Sequence, residues 1–145
     1  MHETLNFIFS IEINASPQKV WDALVNPEIT KQYMFGCEVE SDWSIGNEVI
    51  WRGATDGVIY VKGKIIAFEP NKLLALTTYN PQFEGNNSNE THLIGTYALT
   101  DLNGRTLLDI TQGDFNKVEN GQARYEEASG AWEMTMNALK KLLEQ

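Results

Sequence analysis

The chain has 145 residues, with 11 Lys plus Arg against 20 Asp plus Glu, a formal charge of −9, two His and one Cys. That length sets a single domain, residues 1–145, able to bury about 70% of its unfolded surface, so a core needs neither disulfide nor metal. His2, Cys37 and His92 are too few and too scattered for a structural zinc site, and the acidic balance is wrong for gripping a phosphate backbone, so nucleic acid is not an expected partner.

Leu5, Phe7, Phe9, Ile11 and Ile13 fall at every second position, the period of a half-buried strand, with Ile8 the exception on its polar side. Ser16 before Pro17 then opens a helix, because proline at the first helical position lacks only a donor that has no partner there. Val20, Trp21 and Leu24 follow at helical spacing, to about Val25. Asn26-Pro27-Glu28 repeats the start signal and predicts a second short helix, carrying Ile29 and Tyr33 and ending near Gly36.

Turn and strand signals dominate the next eighty or so residues. Strands are predicted near 38–42, 48–53, 57–68, 72–79, 91–101 and 105–115, sequential and mostly antiparallel. Asn103-Gly104 is the clearest turn, since both residues tolerate the positive φ of a two-residue hairpin loop. Asn80 to Glu90 is a long polar loop with one aromatic, Phe83, and reads as a lid or as loose chain. From Gln122 to Glu144 the helical period returns in Tyr125, Ala128, Trp132, Met136, Leu139 and Leu143. A helix with one apolar stripe must cover it, and only the sheet is large enough. The elements make an α+β domain. No apolar run of about 18 residues provides a membrane span and no export segment is visible, so the expected location is the cytoplasm.

The sequence lacks a G-x-S-x-G elbow, a glycine-rich phosphate loop and a His-Glu-x-x-His motif, which leaves hydrolase, nucleotide and zinc-protease readings without support; no cofactor is expected. His92 shares a strand face with Ile94, Thr96 and Ala98 and reads first as a packed or surface residue. Asp109 and Asp114 read as solvent-facing or loop-flanking carboxylates.

The aromatic residues are more informative. Trp21, Trp51, Tyr60, Tyr79, Tyr97 and Trp132 lie on elements that must face one another, and the simplest reading is that they are core. A long straight helix cannot follow a twisted sheet evenly, however, and a gap tends to open between them. Met134 and Met136 suit either filling such a gap or meeting a ligand in it. Arg52 and Gln112 would orient a carboxylate or carbonyl if they pointed inward, although strand alternation sets Arg52 on the face opposite Trp51.

Four segments bear a family likeness. Ile13-Asn-Ala15-Ser-Pro17-Gln-Lys-Val20-Trp21-Asp22-Ala23-Leu24, Trp43-Ser-Ile-Gly46-Asn47, Gly63-Lys-Ile-Ile-Ala-Phe-Glu-Pro70 and Ala131-Trp132-Glu-Met-Thr-Met136-Asn-Ala-Leu139 resemble, in the same order, the START-like (SRPBCC) superfamily. The branch resembled is that of the activator of the 90-kDa heat-shock-protein ATPase (AHSA-like). The resemblance covers nearly the whole chain and implies a helix-grip fold: a curved antiparallel sheet wrapped around a long C-terminal helix, with a cavity between them. Many relatives carry a Trp near the position of Tyr33 and a Gly directly before the last-helix Trp, where this chain has Ala131. Co-chaperone members have an additional N-terminal domain, whereas the first strand here is expected from about residue 4.

These readings lead to a non-enzymatic binder of a small, largely hydrophobic molecule held between sheet and final helix. Tyr33, Trp51, Tyr60, Tyr79, Trp132 and Met136 are its expected lining, and the 80–90 loop and second short helix its gates. One alternative, implied by the resemblance, is a chaperone or stress-response accessory that meets a basic partner through its acidic exterior. A second is a cyclase or lyase-like enzyme on a hydrophobic substrate, with His92, Asp114 or Tyr97 as acid or base.

Overall fold

A computed structural model describes residues 4–79, 93–118 and 120–144. Strand β1 (Phe7–Ile13) is followed by helices α1 (Pro17–Val25) and α2 (Pro27–Tyr33), then by strands β2 (Cys37–Ser41), β3 (Glu48–Gly53), β4 (Ile59–Glu69), β5 (Leu73–Thr78), β6 (Leu93–Asp101) and β7 (Thr106–Gly113). A 3-10 turn (Phe115–Lys117) leads into helix α3 (Gly121–Leu143). The seven strands form one sheet in the order β1-β7-β6-β5-β4-β3-β2, and every pairing is antiparallel. The sheet is curved and open. Register shifts at Trp51/Arg52 and Ile65/Ala67 supply the local extra twist that bends it.

The two helix starts form as their residues dictate. Ser16 accepts from the Lys19 amide at 3.2 Å. Asn26 closes α1 by donating its N–H to Asp22 O at 2.9 Å, while its side chain accepts from the Glu28 amide at 3.0 Å to open α2. Helix α2 stops at Tyr33, short of Gly36, because Phe35 and Gly36 both take positive φ (53° and 76°). That turn brings Cys37 O and Val39 N–H onto the buried Thr30 hydroxyl, which donates to the first at 2.9 Å and accepts from the second at 3.1 Å. At the other end of the sheet, Asn103 (φ 61°) and Gly104 (φ 98°) make the expected hairpin loop.

The last strand is shorter than the predicted 105–115. It ends at Gly113, because the Asp114 carboxylate takes the Leu5 amide at 2.7 Å and the Asn116 amide at 2.9 Å, starting the 3-10 turn instead. Ile8 is exposed on the outer face of β1, as its place in the alternation requires. The 80–90 loop, Phe83 and His92 lie outside the described residues.

One core fills the concave side: Val20, Trp21 and Leu24 from α1, Ile65, Leu74, Leu76, Leu108 and Ile110 from the sheet, and Met136, Leu139 and Leu143 from α3. These last three are the C-terminal half of the α3 stripe. Tyr125, Ala128 and Trp132, its N-terminal half, are only partly buried, so the helix is seated at one end and stands off at the other. Among the described residues no helix is long and apolar enough to cross a membrane.

Candidate ligand cavity

The raised half of α3 leaves a cavity of about 560 Å³ between helix and sheet. Small side chains explain why it stays open. Ala128 and Ala131 face it from α3, and Gly95 and Thr78 from the centre of the sheet; a Cβ added at Gly95 would approach nothing more closely than Thr78 Cγ2, 3.8 Å away. Larger residues frame this gap: Trp51 on β3, Tyr60 and Val61 on β4, Leu76 on β5, Tyr97 on β6 and Trp132 on α3. The mouth is marked by Met34 and Phe35, just after α2, and by Tyr60; Phe35 is 66% exposed. No Asp, Glu, Lys, Arg or His is in the described wall.

Trp132 is a fixed plate. Its Nε1 donates to Gln112 Oε1 at 2.7 Å, and Gln112 Nε2 donates in turn to Thr78 Oγ1 at 3.2 Å, so α3, β7 and β5 are tied across the cavity wall. The indole also stacks on Phe7 (6.2 Å, 12°) and meets Tyr97 edge-on (5.5 Å, 65°). Gln112 therefore does point inward, whereas Arg52 lies on the outer face, paired with Glu40 at 2.8 Å. Tyr60 donates its hydroxyl to Asp56; that bond holds the Asp56 carboxyl below its usual range and pushes the Tyr60 hydroxyl up. Burial raises the Cys37 thiol as well. For Tyr97, burial alone drives the pKa far above the ordinary tyrosine value, so at neutral pH it is a hydrogen-bond donor and not a base.

Of the six residues expected to line a site, Trp51, Tyr60 and Trp132 come together in this wall. Tyr79 stands beside it, in an adjoining recess of about 290 Å³ that shares Val61, Thr78, Gln112, Ala128 and Ala131 with the main cavity and carries Arg124 and Glu127 at its edge. Tyr33 and Met136 are placed elsewhere. Tyr33 is buried with its hydroxyl donated to Ala23 O at 2.6 Å, where it joins α2 to α1, and Met136 is sealed in the core because the helix is already down on the sheet at that turn. Met134 points to solvent. Asp114 is occupied in capping. Sequence reasoning missed Gly95, Ala128, Ala131, Met34 and Phe35; a lone glycine within a strand pattern is the one signal that marks close approach or open space. Among the described residues no group of three or more His, Cys, Asp and Glu is placed to hold a metal.

With this geometry in view, the comparisons with known proteins are specific. The profile of the family described as "Activator of Hsp90 ATPase homolog 1-like protein" matches residues 14–144. The chain belongs to that family. It is thereby an AHSA-like member of the START-like (SRPBCC) superfamily. The solution structure of a Cytophaga hutchinsonii protein is 35% identical, superposes with a TM-score of 0.78, and covers 99% of this chain and 97% of its own. The solution structure of the Aha1 dimer from Colwellia psychrerythraea (19% identity, TM-score 0.74, 97% and 96% covered) has the same fold as this AHSA1-like chain. So does the crystal structure of an HSP90 activator from Plasmodium falciparum (12% identity, TM-score 0.73, 97% and 96% covered). No curated protein matches the sequence.

Proposed function

We propose that this AHSA1-like protein binds a small, largely apolar molecule in the cavity between its sheet and α3. One observation carries the reading: about 560 Å³ of space, within the usual range for ligand sites, walled mainly by aromatic and aliphatic side chains and, among the described residues, without a charge. Left dry, that volume would cost about 13 kcal/mol at roughly 24 cal/mol per Å³, as much as the whole stability of an ordinary domain. The space is therefore wet or filled, and an apolar ligand that displaces water from such a wall gains the hydrophobic free energy the empty site lacks. Trp51, Tyr60 and Trp132 line the site, with Tyr79 at its side recess, and Phe35 stands at the entrance. The test is to extract the purified protein with organic solvent, identify what is released by mass spectrometry, and return that compound to stripped protein in a thermal-shift titration. A reproducible compound that raises Tm is expected; protein that yields none, and whose Tm no hydrophobic compound moves, overturns the reading.

A second reading, a chaperone accessory, draws on the family and on the formal charge of −9. Charge complementarity to a basic partner would chiefly speed encounter and weaken with salt. A pull-down at low ionic strength that recovers no 90-kDa heat-shock protein removes it.

A further inference from the structure

One charge stands on the stripe of α3 that faces the sheet. Arg124, Ala128, Ala131 and Thr135 follow one another at four, three and four residues, so they share one side of the helix. Ala128, Ala131 and Thr135 line the main cavity, and Arg124 lines the side recess, which shares Ala128 and Ala131 with it. A position that the helical pattern directs toward the sheet is thus held by a guanidinium, half-buried at the edge of a space of about 290 Å³.

The other arginines are placed differently. Arg52 pairs with Glu40 at 2.8 Å and Arg105 with Glu12 at 3.8 Å, whereas Arg124 meets no carboxylate within ion-pair distance among the described residues. Glu127 lies one turn further along α3 and also borders the recess, but it is exposed. The first turn of α3 carries no acidic residue either, so no side chain there offsets the positive end of the helix dipole. An arginine cannot relieve partial desolvation by giving up its proton. An anion relieves it, and the planar fork of the guanidinium matches a carboxylate with two parallel hydrogen bonds.

We propose that the ligand is an elongated monocarboxylic acid whose apolar body occupies the main cavity and whose carboxylate enters the side recess to pair with Arg124. The proposal rests on the reading of the main cavity as a binding site and adds the charge and the orientation of what enters it. One cation with Glu127 nearby suits a single negative charge better than the nearly two of a phosphate monoester. Three probes with the same alkyl chain separate the possibilities by equilibrium dialysis at neutral pH, below the concentrations at which they form micelles: dodecanoate, which is anionic; 1-dodecanol, which is neutral; and dodecylamine, which is cationic.

The quantity to follow is the affinity of dodecanoate relative to dodecanol. This ratio is expected to fall about tenfold, the loss of one charge-assisted hydrogen bond, in Arg124→Gln and in Arg124→Met, with dodecanol binding itself little changed. It should rise about twofold in Glu127→Gln, which takes away the neighbouring negative charge. The wild type should bind dodecanoate more tightly than dodecylamine. Both Arg124 variants keep a long side chain at the position, and thermal melts verify that each is folded. A ratio unaltered in both overturns the proposal while leaving the binding site in place, and so does tighter binding of dodecylamine than of dodecanoate. Failure of all three probes to bind the wild-type protein overturns the binding-site reading itself.

Discussion

Filling the cavity from the sheet side has an outcome opposite in sign to that in an ordinary core. Gly95 lies on β6 opposite Leu76 and Gln112, and a Cβ there would find its nearest neighbour 3.8 Å away, ordinary van der Waals contact. Enlarging a residue in a close-packed interior costs about 1–3 kcal/mol. In Gly95→Val the new Cβ displaces no neighbour, and the loss of glycine's freedom in the unfolded chain stabilises by about 0.4–1 kcal/mol. Burial of the new methyls adds a fraction of the roughly 1.5 kcal/mol of a fully buried valine, because the cavity opens to solvent beside Phe35. The net expectation is about 1 kcal/mol of added stability, a Tm rise of about 3 °C in a chain of this size. Meanwhile the methyls occupy the space a ligand needs, so the affinity for a neutral aromatic probe such as 9-fluorenone drops about fivefold, the low end of overpacking strain at about 1 kcal/mol. Calorimetric melts and equilibrium dialysis on the same preparation measure both effects. A Tm lowered by several degrees would refute the reasoning, since it would mean that Gly95 faces packed atoms. An unchanged affinity would show that the probe binds elsewhere.

Met136→Ala removes a sealed core side chain outside the cavity wall; urea unfolding is expected to show a loss of about 2–5 kcal/mol with probe affinity kept below the transition. Thr30→Val strips the hydroxyl that serves both Cys37 O and Val39 N–H, so stability should fall by about 1–3 kcal/mol and the Val39 amide should exchange faster with deuterium. Glu144 is held below the ordinary glutamate value of 4.5 by hydrogen bonds from the Lys140 ammonium and the Asn14 amide. A depressed folded-state pKa means that this contribution is complete above the ordinary value and is lost as pH falls through the folded-state value. Between about pH 5 and pH 3 the Tm of the wild type should therefore decline more than that of Glu144→Gln; parallel curves would show that the carboxylate contacts do not persist in solution.

Much of the fold was legible because its signals are local. Ser16-Pro17 and Asn26-Pro27 start their helices where the caps form, and Asn103-Gly104 turns as its backbone freedom requires. Where the last strand slipped, a distant partner decided. Strand β7 stops at Gly113 because Asp114 turns to Leu5, 109 residues away in sequence, whereas α2 gives way at the positive-φ turn of Phe35 and Gly36, whose contacts from Thr30 to Cys37 and Val39 follow from it. The Asp114 contact leaves no mark in the local pattern.

The cavity was legible only through its large residues, and large residues are the wrong guide to empty space. Trp132 and Met136 belong to one apolar stripe, and nothing in their spacing separates them; what separates them is the height of the helix above the sheet, about one turn apart. That height is set by what lies beneath. Where Met136, Leu139 and Leu143 descend, the core closes with them. At the other end Ala128 and Ala131 share a wall with Gly95 and Thr78, too little volume to fill the distance that the Gln112–Trp132 bond and the Phe7 stack hold open. A cavity is thus a joint property of small residues on elements remote in sequence and of the large ones that keep those elements apart. For the same reason Tyr33, large and aromatic, ended as a tie between helices, while Gly95, with no side chain at all, leaves the centre of the cavity wall open.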